Sequence, residues 1–140
     1  MRQRDSQRSR VYKAESAVFD MHRGMLNQEE VLLFRDKTLS SEYWREAKGY
    51  KRVLLRFNKS TSQSSFFDHS DKSISLPLWA MKKDVVIHEM AHSLTFKEDK
   101  TLPGHGKVFC SHYLNLVAEL LGESEAERLE ISFWEHKVRY

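Results

Sequence analysis

The stretch Asp84-Val85-Val86-Ile87-His88-Glu89-Met90-Ala91-His92-Ser93-Leu94 decides how the rest of the chain is read. Ile87, Met90, Ala91 and Leu94 recur at i, i+3, i+4 and i+7, the spacing of one apolar helix face, so a helix is expected from about Asp84. His88 and His92 fall one turn apart on that helix, roughly 6 Å from each other, where two imidazoles can hold one ion from the same side. Glu89 sits one step round, near enough to reach a water on such an ion without ligating it.

Zinc that performs chemistry takes three protein ligands and keeps a fourth position open. A third ligand is expected downstream, on a segment that returns to the helix. Leu102-Pro103-Gly104-His105-Gly106 supplies one: of five glycines and two prolines in the chain, this loop sets two and one around a single histidine. Flanking glycines let the backbone turn sharply and approach closely, as bringing an imidazole onto a metal requires. The reading is one zinc per chain on His88, His92 and His105, with Glu89 as general base. Metzincin spacing fails, because Thr95 and Glu98 stand where a glycine and a histidine are needed. Glu119 is the other candidate third ligand, but it lies in an ordinary amphipathic stretch where a solvated acid needs no explanation.

Downstream, Phe109, Tyr113, Leu116, Val117 and Leu120 mark a helix that stops at Gly122, and Ser124 with Glu127 forms a capping box for a last helix carrying Leu129, Phe133 and Trp134. Upstream, the period changes to two. Val53, Leu55 and Phe57 give a strand with one apolar face. After a serine-rich loop over 60–65, Phe66 and Phe67 open a second strand, and a turn falls near 70–72. Ile74, Leu76 and Leu78 line a third strand, which Pro77 confines to an edge or an end. Before the sheet, helices are expected over 11–19, after an Asn27–Glu30 capping box, and from Ser40 or Ser41 to Gly49. The expected fold is α+β, a small sheet of about three or more strands packed on the motif helix, with further helices on both sides.

At 140 residues and 16.6 kDa the chain makes one domain, expected over 11–140 after a flexible basic tail over 1–10. A 40% hydrophobic share is too high for a disordered chain, and no run is long enough to span a membrane. The lone Cys110 rules out an internal disulfide and a four-cysteine zinc ribbon, and with no secretory signal visible a cytoplasmic setting follows. Of the net charge of +3, all resides in the first ten residues, where Arg2, Arg4, Arg8 and Arg10 oppose Asp5. Arg45, Lys48, Lys51, Arg52, Arg56 and Lys59, with Glu46 as the one acid among them, form a second basic stretch, either a solvated face or a phosphate-facing patch.

His88-Glu89-x-x-His92 followed by His105-Gly106-x-x-Phe109 resembles the active-site pattern of the SprT-like zincin metalloproteases, small zinc peptidases with DNA-associated members. The chain is also similar to short single-domain metallohydrolases in which an edge strand ending in a Leu-Pro-x-Trp-like stretch, here Leu76-Pro77-Leu78-Trp79, leads into the motif helix. The resemblance spans about residues 50–121. It implies a zincin-like minimal metalloprotease domain, Gly106 opening the next helix, Phe109 beneath the site, and hydrolysis of a protein or peptide substrate by metal-activated water. The cysteine-rich ribbon that many such proteins append is absent.

On the helix after His105, Tyr113 and His112 are candidates for an oxyanion donor or for orienting a ligand, although Tyr113 also fits the apolar stripe. The third strand, over 73–78, offers an edge to an extended peptide. Cys110 reads as a small buried hydrophobe, Trp44, Trp79 and Trp134 as core, and His22, His69 and His136 as surface. If the N-terminal helices cover the cleft, truncating residues 1–26 should raise activity. A different class of function, a nucleic-acid-associated protein with structural zinc, competes with the peptidase, and a protease acting on DNA-bound proteins combines the two.

Overall fold

The computed structural model describes residues 3–19, 24–59 and 64–140; His22 and much of the serine-rich loop fall outside them. Three helices come first: α1 (Arg8–Val18), α2 (Gln28–Leu39) and α3 (Glu42–Glu46). The strands β1 (Leu54–Asn58), β2 (Phe66–Asp68) and β3 (Ser73–Pro77) follow, then a 3₁₀ turn (Leu78–Ala80) and helices α4 (Lys83–Glu98), α5 (Lys107–Leu121) and α6 (Glu123–Glu135). The protein is α+β, with six α-helices and a three-stranded mixed sheet among the described residues.

Local chemistry accounts for several boundaries. Asn27 Oδ1 accepts from Glu30 N at 2.8 Å while Glu30 Oε1 accepts from Asn27 N at 3.1 Å, so the expected capping box opens α2. Ser41 caps α3, whose Trp44 is buried at 1% exposure with the ring against Gly49; a Cβ there would stand 2.2 Å from Trp44 Cε2, so only glycine fits. The β2–β3 turn is held by Asp68 Oδ1, which accepts from both Ser70 N and Ser70 Oγ.

The strand order β1-β3-β2 corrects one expectation. β3 is the central strand, parallel to β1 and antiparallel to β2, and all five of its residues are buried. Pro77 is tolerated because it is the last residue of the strand. β3 has no edge to offer a peptide, and the open edges belong to β1 and β2. Leu78, expected on the buried face, lies beyond the strand and is exposed.

The helices stack in a chain of neighbours, α4 on α5, α5 on α6 and α6 on α1. Val11 and Ala14 of α1 are fully buried, and Ser132 Oγ of α6 donates to Ala14 O at 2.8 Å. Gly122, at φ +108°, is a conformation that costs other residues strain, and it passes the chain straight from α5 into α6. Ser124 therefore lies inside the first turn of α6 and forms no capping box. Trp79 and Trp134, expected in the core, are 42% and 74% exposed, since α6 turns Trp134 away from the face that Leu129 and Phe133 bury.

The described part of the tail lies against the body. Gln3 N donates to Thr101 O at 2.7 Å, and Gln7 is buried, its Nε2 donating to His105 O at 2.8 Å and Arg139 O at 3.0 Å. The side-chain amide also accepts from Arg139 N at 3.0 Å. The described part of the tail is thus hydrogen-bonded to the body. No helix among the described residues is long and apolar enough to cross a membrane.

Candidate metal centre

The expected helix carries His88, Glu89 and His92 at the middle of α4, and all but His92 are buried. His105 lies in the loop before α5, which Asp99 shapes by accepting from Thr101 N at 2.9 Å and Thr101 Oγ1 at 2.7 Å. This turn brings the third imidazole back over α4. His92 Nε2 stands 3.1 Å from His88 Nε2 and 3.1 Å from His105 Nε2, and the last two are 3.3 Å apart. Three nitrogens bound to one tetrahedral zinc at 2.0–2.1 Å lie about 3.3 Å from one another. The triangle is the size an ion requires, and its donors are the imidazole nitrogens that suit zinc. The three histidines can hold a metal ion.

Phe109, fully buried, forms the floor. Its ring stacks on His92 at 4.4 Å and stands edge-on to His88 at 4.9 Å and His105 at 5.1 Å. An aromatic floor fixes the ring planes and keeps water from beneath the triad.

Two carboxylates that sequence reasoning missed hold the outer nitrogens. His105 Nδ1 donates to Asp5 Oδ2 at 2.8 Å, and His105 N donates to Asp5 Oδ1 at 3.2 Å. His88 Nδ1 pairs with Glu15 of α1. Tyr113, expected as an oxyanion donor or orienting group, is fully buried, edge-on to His88 at 5.5 Å, and its hydroxyl engages Glu15. Burial works against charge on His88, but the Glu15 carboxylate outweighs it and lifts the imidazole to about 9. His105 moves the other way, lowered by burial and by the charge of His88 against the pull of Asp5.

Glu89 is buried and borders the triad across a shared cavity. Ser65 Oγ donates to its Oε2 at 2.8 Å, and burial pushes the carboxyl above its usual range despite the opposing pull of His88 and Ser65. Two cavities meet there. One of about 380 Å³ is lined by Asp5, Tyr12, Phe66, Glu89, His92 and His105; one of about 230 Å³ runs along Tyr12, Glu15, Trp79, His88, Glu89 and Tyr113. Tyr12, another residue the sequence did not flag, borders both, its ring stacked on His88 at 5.6 Å.

His112 lies elsewhere. Its Nδ1 meets Tyr43 Oη at 2.9 Å and its Nε2 meets Glu98 Oε2 at 2.8 Å, so both ring nitrogens are engaged away from the triad. Glu119 is also accounted for: its two oxygens accept from Glu42 N and Tyr43 N, each at 2.9 Å, capping α3. His69, expected at the surface, is half-buried and stacked on Phe96 at 3.8 Å. His136 is half-buried too, on Ser132. Cys110 is a free, buried thiol as expected.

Comparison with protein-family models, curated proteins and solved structures finds no match for this chain.

Proposed function

We propose that the protein is a zinc-dependent peptidase of the SprT-like zincin type, with one zinc per chain on His88, His92 and His105. The observation that carries the reading is the convergence of three Nε2 atoms, 3.1 to 3.3 Å apart, beside a buried carboxylate that opens onto a cavity. A closed structural zinc site takes four protein ligands and has no use for such a base. Bound at the triad, zinc supplies Lewis acidity, acidifying a water and polarising a carbonyl.

The remaining chemistry belongs to the chain. Ser65 holds Glu89 Oε2, so Oε1 is the atom that takes the proton from the attacking water and returns it to the leaving amine. Burial raises its pKa, which makes it a stronger acceptor for that proton than an exposed carboxylate. Phe66 and Tyr12 wall the larger cavity, and the open edge of β2 begins beside Ser65. The buried free thiol of Cys110 supports a reducing, cytoplasmic setting. Glu89→Gln tests the proposal: zinc content should stay at one per chain while peptide hydrolysis falls by at least ~100-fold. A variant that holds zinc and cleaves as fast as the parent would contradict it.

One observation favours the second reading, a nucleic-acid partner. A cavity of about 440 Å³ is lined by Arg45, Lys48, Lys51 and Lys97 and by no carboxylate, and none of the four forms an ion pair among the described residues. Arg56, counted with that group in the sequence, pairs instead with Asp71. Phosphate binding there should weaken steeply with salt, the slope falling by about one for each contacting cation removed. Absent or salt-independent binding would dismiss it.

A further inference from the structure

We infer that Asp5 and Glu15 are positioning residues of the metal centre, and that through them the N-terminal segment 3–18 and the metal ion bind the body of the protein cooperatively. The inference rests on the metal-centre half of the proposed function and is independent of peptide hydrolysis.

All three ligands belong to the body, on α4 and on the loop before α5. The N-terminal segment contributes none, yet it touches the outer nitrogen of two of them, Asp5 on His105 and Glu15 on His88. A carboxylate can only accept, so each of these Nδ1 atoms carries the proton and leaves the Nε2 lone pair for the metal. Asp5 does more than fix a ring, because its second oxygen accepts from the His105 backbone at 3.2 Å and pins the loop that delivers the ligand. On α1, Tyr12 and Glu15 lie one turn apart and face the triad together, the first against the His88 ring and the second on its nitrogen.

Charge gives the coupling its sign. Asp5, Glu15 and Glu89 set three carboxylates around the imidazoles, and a divalent cation compensates two of those charges. Without the ion, the two carboxylates of the segment face imidazoles that carry less positive charge than they do around a divalent cation. With it, the same carboxylates become favourable partners of metal-bound imidazoles. The segment's other anchors, buried Val11 and Ala14 with the Gln7 and Ser132 hydrogen bonds, hold it in place with or without metal, so the ion adds to docking without creating it.

Outer-sphere partners of this kind are each worth about 10- to 100-fold in metal affinity. Binding linkage is reciprocal, so whatever factor the two carboxylates give the ion, the ion gives back to the docking of the segment.

The test uses the full chain. Zinc affinity is measured by competition with a chromogenic chelator for the parent, Asp5→Asn, Glu15→Gln and the double variant. Hydrogen exchange across α1 and α2 is followed with and without zinc. Each single variant should lose about 10- to 100-fold in zinc affinity and shift the visible spectrum of its cobalt form. Zinc should slow exchange in α1 by at least about tenfold more than in α2, and that excess should vanish in the double variant. Affinities within threefold of the parent, or equal slowing of α1 and α2, would overturn the inference. Should the double variant fail to fold, the parent's α1-to-α2 comparison decides alone. A parent that meets both expectations but cleaves no peptide overturns the peptidase reading only, and a parent that refuses zinc overturns both.

Discussion

Glu119 and His105 both had the right chemistry for a third ligand, and what each touches separates them. Glu119 is spent on two backbone N–H groups at the start of α3. Glu119→Ala should leave one zinc per chain and cost about 1 kcal/mol of stability, the usual worth of a helix cap, as read by metal analysis and denaturant unfolding. Loss of zinc from that variant would restore Glu119 as a ligand. Cys110 makes a parallel case. Burial pushes its thiol up to about 12, so at pH 8 only about one molecule in ten thousand carries the reactive thiolate. Alkylation of the folded protein should be slow and become fast on unfolding, and prompt labelling of the native protein would show the site to be open. His88, Glu89 and His92 are legible in the sequence because four residues of helix fix their geometry. His105 is legible because two glycines and a proline surround it. Asp5 and Glu15 are not, since their partners lie 100 and 73 residues away and only the packing of α1 and its leading segment brings them near.

Among the elements, α1 changes most between sequence and structure. Its amphipathic pattern over 11–19 shows a helix with a buried face but cannot show what that face covers. If it were a lid, removing it would raise activity. In the structure Glu15 pairs with His88 and Val11 and Ala14 are buried, so the helix braces the histidine cluster. Deletion of residues 1–18 should therefore lower both zinc retention and hydrolysis and uncover the face of α6 on which α1 packs, visible as zinc lost on gel filtration and a rise in dye binding. A truncated protein that keeps its zinc and cleaves faster would reinstate the lid. The sheet teaches a related lesson. Alternation located β1 and β3 and the Phe66-Phe67 pair located β2, but strand order depends on which neighbours pair, and a proline at the end of a strand is compatible with the centre as well as the edge. The exposed Trp79 and Trp134 arise the same way, because residue type records an apolar surface and not the element that covers it.

For the molecule as a whole, the α+β class followed from the switch of period from helical to two-residue and back. The association between the two ends of the chain did not. Gln7 bonds to Arg139, α1 packs on α6, and the N-terminal segment reaches the histidine cluster, so folding closes the chain on itself around that cluster. The account stands on an ion at the three histidines. Elemental analysis of the purified protein beside His105→Ala tests this most directly. One zinc per chain in the parent, with most of it lost from the folded variant, is the predicted result. A folded parent that is metal-free and takes up no added zinc, or a variant that keeps its full zinc, would contradict it.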